Sequence, residues 1–487
     1  MTTALSRIFE PRSIAIVGAS TDPTKRGNQI LRALAVSGFE GDVYPVNPRG
    51  GEIEGRPVVS SVDELPEGVD LAVLCTPAAA APELVRACGR RGVGAALVLA
   101  VGFGESGDEG RALQSELAAA GAEAEVRIVG PNTSGILNMS TGLNLVGARG
   151  VREGGLALLL QSGNVALSLM TEVTERSWNG VSIYLGVGNQ LDVGSDEALA
   201  YLEHHDPTRA IIVYLEALPN ARTWLRTASR VARTKPIVAV KSGRTAQGSA
   251  AALSHTGSVA GPYDRLSAGL RQAGVVEVMR TDELLHVAET LGSQPPCPPG
   301  TGIAVLTDGG GQGALAADTI TEGGGTLAEL ALPTRRALAE LLGPAAATAN
   351  PVDLAGASDA DPLVFAEAIR ILHEDPAVGA VLLVGLFGGY GVRFSESLTD
   401  AETEASIAMA EAGRSAGKGL VVHTMYAAHR TAPLEALGTR GVPVVGSLEV
   451  ACRCVLELQR RGVTLASPPW LAHGPDADGA AQAADAV

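Results

Sequence analysis

An α/β architecture, parallel sheets with helices on both faces, is the fold class this sequence predicts, and three observations predict it. Short apolar runs of Val, Ile, Leu and Ala alternate with stretches of helical period, the pattern of strands buried on both faces. Sixty glycines fall beside those runs, not in a low-complexity tract, as strand-to-helix turns require. Hydrophobic residues make up 46% of the chain but aromatic ones only 3%, so small aliphatic side chains must build the cores. At roughly 100–200 residues per domain, 487 residues suggest about three domains.

The elements follow in three blocks. The first opens with Ser13–Gly18 and continues with strands at Val43–Val46, Leu71–Cys75, Ala95–Val101 and Val126–Val129. Its helices are expected at Gln29–Ser37, Pro82–Arg91 and Asp108–Ala120. The second carries strands at Leu156–Leu160, Val181–Leu185, Ala210–Tyr214 and Pro236–Val240, with helices at Val165–Ser177, Ser195–His204 and Ala221–Arg233. Pro295–Gly302 reads as a linker. The third repeats the rhythm through Ile303–Leu306, Ala380–Val384, Gly419–His423 and Val442–Val445, and Ser467–Val487 reads as a frayed tail.

The net charge of -16 argues against a nucleic-acid surface, which needs clustered cations. It leaves room for a phosphorylated ligand held by backbone N–H groups at helix starts. Five cysteines without a C-x-x-C pair read as reduced thiols of a cytoplasmic protein. No signal core and no membrane-spanning run is present.

Two stretches point to a phosphate ligand. Gly18-Ala19-Ser20 follows the first strand directly, the geometry that aims N–H groups at a phosphate, although the full G-x-G-x-x-G is absent and the loop runs on through Lys25. An ordinary strand-to-helix turn would read the same way. Asn47-Pro48-Arg49 ends the second strand, where a carboxylate suits NAD and a cation suits a phosphorylated ribose. Arg49 therefore favours coenzyme A or NADP. Thr76-Pro77 and Gly102-Phe103-Gly104 should line the same crevice.

Among eight histidines, His255 stands out in the small-residue run Ala252-Leu253-Ser254-His255-Thr256-Gly257-Ser258. Small neighbours let an imidazole be approached, and a phosphorylated one would need a ready anion site. Two candidates exist: Gln161-Ser162-Gly163-Asn164 and Asp308 with Gly309, Gly310 and Gly311, each between a strand and a helix. Glycines required by close packing are the plainer reading of both. Glu216, just after a strand, could fix the tautomer of a nearby imidazole, or be a surface carboxylate.

Taken together, the segments IAIVGAS, YPVNP, VGFGE, RIVGPNTSG, LLLQSGN, LGVGNQLDV, VYLEAL, PIVAVKSGR, SHTGSVAG and NPVDL occur in order from about Ser6 to about Val455. In this the chain resembles the ADP-forming acyl-CoA synthetases (acetate–CoA ligase, ADP-forming), relatives of succinyl-CoA ligase. The resemblance implies a Rossmann-like CoA-binding domain over residues 1–150, then two flavodoxin-like, succinyl-CoA-ligase-like parallel-sheet domains over 151–294 and 295–465, with a flexible tail at 466–487. It implies that His255 carries phosphate and Glu216 supports it. Ser162, Gly163 and Asn164, and the 309–311 glycines, would cradle the phosphoryl group. Gly188, Asn189 and Asn132 would line the acyl-phosphate pocket. Gly18, Ser20, Lys25, Arg49, Thr76 and Pro77 would hold coenzyme A, and no metal ligand falls on this chain. Thr133 stands where the family usually has Cys, and Arg49 where it often has Lys.

The same resemblance implies an acid–thiol ligase acting on a small carboxylic acid or acyl phosphate, in a hetero-oligomer or dimer. ATP or ADP and Mg2+ would sit on a separate ATP-grasp beta subunit. The small residues Gly248-Ser249-Ala250-Ala251 fit a loop that lets His255 travel between two sites. A non-catalytic CoA-binding or regulatory protein on the same scaffold is the alternative. An NADP-linked oxidoreductase is disfavoured by the incomplete glycine fingerprint.

Overall fold

The computed structural model describes residues 5–250, 263–344, 346–357 and 361–469. The described chain forms two compact units. The first runs to Thr174 and resumes over Gly180–Glu277; the second comprises Glu175–Asn179 and Val278–Pro469.

The first unit holds two sheets. In one, β1 (Ser13–Val17), β2 (Asp42–Val46), β3 (Leu71–Leu74), β4 (Ala95–Val98) and β5 (Arg127–Val129) pair in the order β2-β1-β3-β4-β5, all parallel. The runs SIAIV, LAVL and AALV are buried almost throughout, because helices cover both faces. The other contains β6 (Ile136–Asn138), β7 (Leu143–Asn144), β8 (Glu153–Leu160), β9 (Val181–Gly186), β10 (Ala210–Leu215), β11 (Ile237–Lys241) and β12 (Val276–Val278), in the order β12-β11-β10-β8-β9-β6-β7. The third sheet, in the second unit, pairs β13 (Gly302–Thr307), β14 (Val352–Asp353), β15 (Val378–Gly385), β16 (Gly419–Thr424) and β17 (Val444–Val445) as β14-β13-β15-β16-β17, all parallel.

Apart from one added hairpin, the three sheets share one topology: the second strand lies on one side of the first, and the third, fourth and fifth lie on the other. The order reverses beside the first strand of each, and α/β sheets open a crevice at that point, beyond the carboxyl ends of the strands.

The hairpin β6–β7 is a departure from the expected parallel pattern. β6 lies antiparallel to β9, with Ile136 opposite Leu185 and Asn138 opposite Ile183, and so covers what would be an open edge. It falls within the expected first domain yet pairs in the second sheet. The Asn138 amide ties it down, donating to the Phe9 carbonyl at 2.9 Å. The Pro295–Gly302 segment packs closely: the Cys297 N–H donates to the Leu458 carbonyl at 3.1 Å. A Cβ on Gly462 would lie 1.8 Å from the Cys297 carbonyl oxygen, so glycine is required there.

Asn350 of the NPVDL segment takes the place of a missing strand. β14 reaches only Leu306 and Thr307 of β13. Beyond it, the Asn350 side chain accepts from the Val305 N–H at 2.9 Å and donates to the carbonyls of Ile303 at 2.8 Å and Ala328 at 2.9 Å. Asn350→Ala leaves three backbone groups without this partner. It is expected to lower the stability of the second unit by about 2–3 kcal/mol, read from the midpoint of denaturant unfolding.

Candidate functional sites at the strand-order reversals

The first crevice lies between the carboxyl ends of β1 and β3. Gly18 there has φ +86°, and a Cβ on it would lie 2.9 Å from the Cys75 carbonyl oxygen, so only glycine brings the two strand ends this close. The Asn47 amide donates to the Ala19 carbonyl at 2.7 Å and accepts from the Arg49 N–H at 2.9 Å. This places Arg49, exposed at the end of β2, beside the same turn. Ser20 accepts from the Asp22 N–H at 3.0 Å. Lys25 is the extended N-cap of helix α1 (Arg26–Val36) and no side chain caps that helix. Among the described residues the N–H groups of Arg26 and Gly27 have no acceptor.

Two buried oxygens in this crevice, Thr76 Oγ1 and Asn28 Oδ1, likewise have no hydrogen-bond partner among the described residues. Pro77 follows Thr76 and is exposed. Open helix amides, two cations and the Thr76 hydroxyl suit a phosphate group, while Asn28 Oδ1 can only accept from a donor elsewhere on a ligand. A cavity of about 1020 Å³ runs along α1, lined by Gln29, Arg32, Glu54 and Asn144 among others.

The second crevice lies between β8 and β10. Gln161 spans it: its side chain accepts from the N–H groups of Glu216 and, at 3.0 Å, Ala217, and donates to the Ala217 carbonyl at 2.6 Å. This clamp fixes Glu216, which is 7% exposed, at the floor of the opening and excludes the surface-carboxylate reading. Beneath it, Lys241 is buried and donates to the carbonyls of Glu216, at 2.9 Å, and Ser242. Burial lowers the Lys241 pKa, and the nearby charges of Glu216 and Glu277 oppose that shift. Ser162 caps helix α2 (Gly163–Arg176) by accepting from the Val165 N–H at 3.4 Å. The N–H groups of Gly163 and Asn164 have no acceptor among the described residues.

The segment 130–134 reaches the same helix start, because a Cβ on Gly163 would lie 3.3 Å from Ser134 Cβ. Asn132, at φ +57°, donates from its amide to Asn189 Oδ1 at 3.3 Å, and the Asn189 N–H donates to the Pro131 carbonyl at 2.9 Å. Gly188 is pressed against this turn; a Cβ there would lie 2.2 Å from the Pro131 carbonyl oxygen. Thr133 is buried, its hydroxyl donating to the Gly186 carbonyl and accepting from the Gly135 N–H at 3.1 Å. Asn132, Gly188, Asn189, Ser162 and Gly163 thus gather around one opening.

His255 lies outside the described residues, as does the whole segment 251–262. The chain leading to it leaves β11 through Ser242 beside the Glu216 strand end, the Ser242 N–H donating to the Leu215 carbonyl at 3.0 Å. Residues 246–250 are helical, where the sequence suggests a loop.

The third crevice, in the second unit, lies between β13 and β15. Asp308 accepts from the Leu386 N–H at 2.9 Å and the Tyr390 hydroxyl at 3.0 Å, joining the two strand ends. Gly309 caps helix α3 (Gly310–Glu322). A Cβ on Gly309 or Gly311 would meet nothing within 4 Å, whereas one on Gly310 would lie 2.9 Å from Asp353 Oδ2. Close packing therefore accounts for Gly310 but not for its two neighbours, which leave the backbone open to a ligand.

Lys241 and Glu105, whose carboxylate accepts from the Asn189 amide at 2.6 Å, are side chains that sequence reasoning did not assign to the sites. Gln161 was expected in the phosphate turn, and the structure uses its side chain as a clamp on the next strand end instead. A lysine closing the apolar strand IVAVK was the available signal for Lys241; nothing local marks Glu105.

The chain is similar to known proteins over most of its length. Residues 12–139 match a CoA binding domain, residues 153–291 a succinyl-CoA ligase like flavodoxin domain and residues 303–424 a ligase-CoA domain. The chain is 36% identical over 385 residues to the alpha subunit of acetate–CoA ligase [ADP-forming] I of Pyrococcus furiosus, covering 78% of this chain and 82% of that subunit. It is 38% identical over 381 residues to acetate–CoA ligase [ADP-forming] I of Archaeoglobus fulgidus, of whose length it spans about half, 54%. A structure of the dinucleotide forming acetyl-coenzyme A synthetase 1 of Ca. Korarchaeum cryptofilum, in complex with phosphate and ADP, superposes with a TM-score of 0.85 at 29% identity. That match covers 96% of this chain and 98% of the other.

Two substitutions separate the readings of the glycines. Gly18→Ala, strained by its positive φ and by Cys75, is expected to cost about 1–3 kcal/mol and to abolish CoA binding in a calorimetric titration. Gly309→Ala, in extended backbone with open space around it, should change the unfolding midpoint by less than about 0.5 kcal/mol.

Proposed function

The chain belongs to the ADP-forming acyl-CoA synthetases of the succinyl-CoA ligase superfamily, and from that premise we propose that it is the alpha-type subunit of such an enzyme. It makes acyl-CoA from a small carboxylic acid, coenzyme A and ATP, with the ATP-grasp unit and its Mg2+ on a partner chain. The observation that carries this reading is the second crevice. There Glu216, held by Gln161, and the open amides of Gly163 and Asn164 flank the strand end from which the chain runs on to His255.

In the synthetic direction the His255 imidazole takes the γ-phosphoryl group of ATP and releases ADP. It passes that group to the substrate carboxylate, giving an acyl phosphate. The CoA sulfur then attacks the acyl carbon and inorganic phosphate leaves. Glu216 orients the imidazole by accepting from one ring nitrogen, which leaves the other nucleophilic. Ser162, Gly163 and Asn164 neutralise the phosphoryl oxygens with backbone N–H groups and the helix dipole, and the Gly309–Gly311 start supplies the same chemistry in the second unit. Asn132 and Gly188 shape the acyl-phosphate pocket. In the first crevice, Gly18 and Ser20 let the CoA phosphates approach the backbone, Lys25 and Arg49 balance their charge, and Thr76 and Pro77 line the side.

Incubation with the partner and ATP is expected to place acid-labile phosphate on this chain, and His255→Ala should remove it; equal label on that variant would refute the phosphohistidine. The purified chain alone should bind coenzyme A but form no acyl-CoA from ATP and a carboxylic acid. Turnover by the single chain in a coupled ADP-release assay would place the nucleotide site here instead.

A further inference from the structure

The resemblance places Asn189 in the acyl-phosphate pocket, yet its donors and its amide oxygen are already engaged by the protein. Its main-chain N–H donates to the Pro131 carbonyl at 2.9 Å. Its amide nitrogen donates to Glu105 Oε2 at 2.6 Å and to Gln114 Oε1 at 2.9 Å, and its amide oxygen accepts from Asn132 Nδ2 at 3.3 Å. Asn132 differs. Among the described residues its amide makes only that one bond, so Oδ1 and the second N–H remain open.

Which way the two amides point follows from what stands behind them. An ionised carboxylate can only accept. Glu105 is held in place by the N–H groups of Gly102, at 2.7 Å, and Phe103, at 3.1 Å, both on Oε1, which leaves Oε2 for Asn189. Gln114 is fixed as an acceptor because its Oε1 also takes the Gly104 N–H at 3.0 Å. Two anchored acceptors force the Asn189 nitrogen toward them and its oxygen toward Asn132. Asn132 must then turn its nitrogen inward. Burial pushes the Glu105 carboxyl up, but the bonds from Asn189, Gly102 and Phe103 together hold it below the usual range, so it stays ionised.

We propose that Glu105 is a positioning residue which, acting through Asn189, fixes the amide of Asn132 so that one N–H and the carbonyl oxygen of Asn132 are presented to the acyl phosphate. This rests on the acyl-phosphate reading above. Asn132 is the contact residue of the set; Asn189 and Gln114 stand behind it.

Glu105→Gln is nearly isosteric but gives residue 105 donors, so the chain of amides can invert. The test supplies acetyl phosphate and coenzyme A to the complex of this chain with its partner and follows thioester formation without nucleotide. Glu105→Gln is expected to lower kcat about tenfold or more, with KM for coenzyme A and the thermal midpoint unchanged. In an Asn189→Ala background the same substitution should have less than about a twofold further effect, because its route is gone. An equal loss in both backgrounds overturns the relay. A wild-type complex that forms no thioester counts against the acyl-phosphate reading alone. In that case neutron diffraction of the Glu105→Gln protein decides the relay: an inverted Asn189 amide supports it, and an unchanged one overturns it.

Discussion

A parallel sheet whose second strand lies on one side of the first and whose third lies on the other must send the two following connections in opposite directions. The gap they leave cannot be closed by the sheet's own backbone, since the strand-end groups beside it have no neighbour on that side. This chain meets the constraint three times, and in two of the three a side chain reaches across from the end of the first strand to the end of the third. Gln161 ties β8 to β10 and Asp308 ties β13 to β15, while at the first crevice Asn47 ties the β1 turn to the end of β2 instead. Beside them, N–H groups in the first turn of the adjoining helices stay open, among the described residues, at Arg26, Gly27, Gly163 and Asn164, and the candidate chemistry gathers there.

The reliance on backbone amides fits the overall charge. A chain with a net charge of -16 repels anions at long range, yet coenzyme A and the acyl phosphate of the proposed reaction both carry phosphate. Helix starts act within the first turn, and their effect falls off quickly. Phosphate can therefore be held locally without a basic surface, and the two cations proposed for it, Lys25 and Arg49, both stand at the first crevice.

The strands were legible in the sequence because burial on both faces turns them into unbroken apolar runs, as SIAIV and LAVL show. The crevices were legible for the same reason: their glycines sit where such runs end. The hairpin at Ile136–Asn138 and Leu143–Asn144 was not, because runs of three and two residues carry no period. Glu105 and Gln114 were also invisible, since their partner Asn189 lies 84 and 75 positions further along the chain. Glu105 reads locally as one more acid in a glycine-rich turn. The glycines after β13 looked alike in sequence, and only the space around each one distinguishes Gly310 from Gly309 and Gly311.

The contact between Cys297 and Gly462 has a consequence beyond local packing. It brings the entrance of the third block against the helix Leu448–Ala466 by which the chain leaves it. A body whose way in and way out lie side by side can be joined to different neighbours without stretching its backbone. Such a body is a natural unit of gene fusion and fission, able to serve in chains of quite different length.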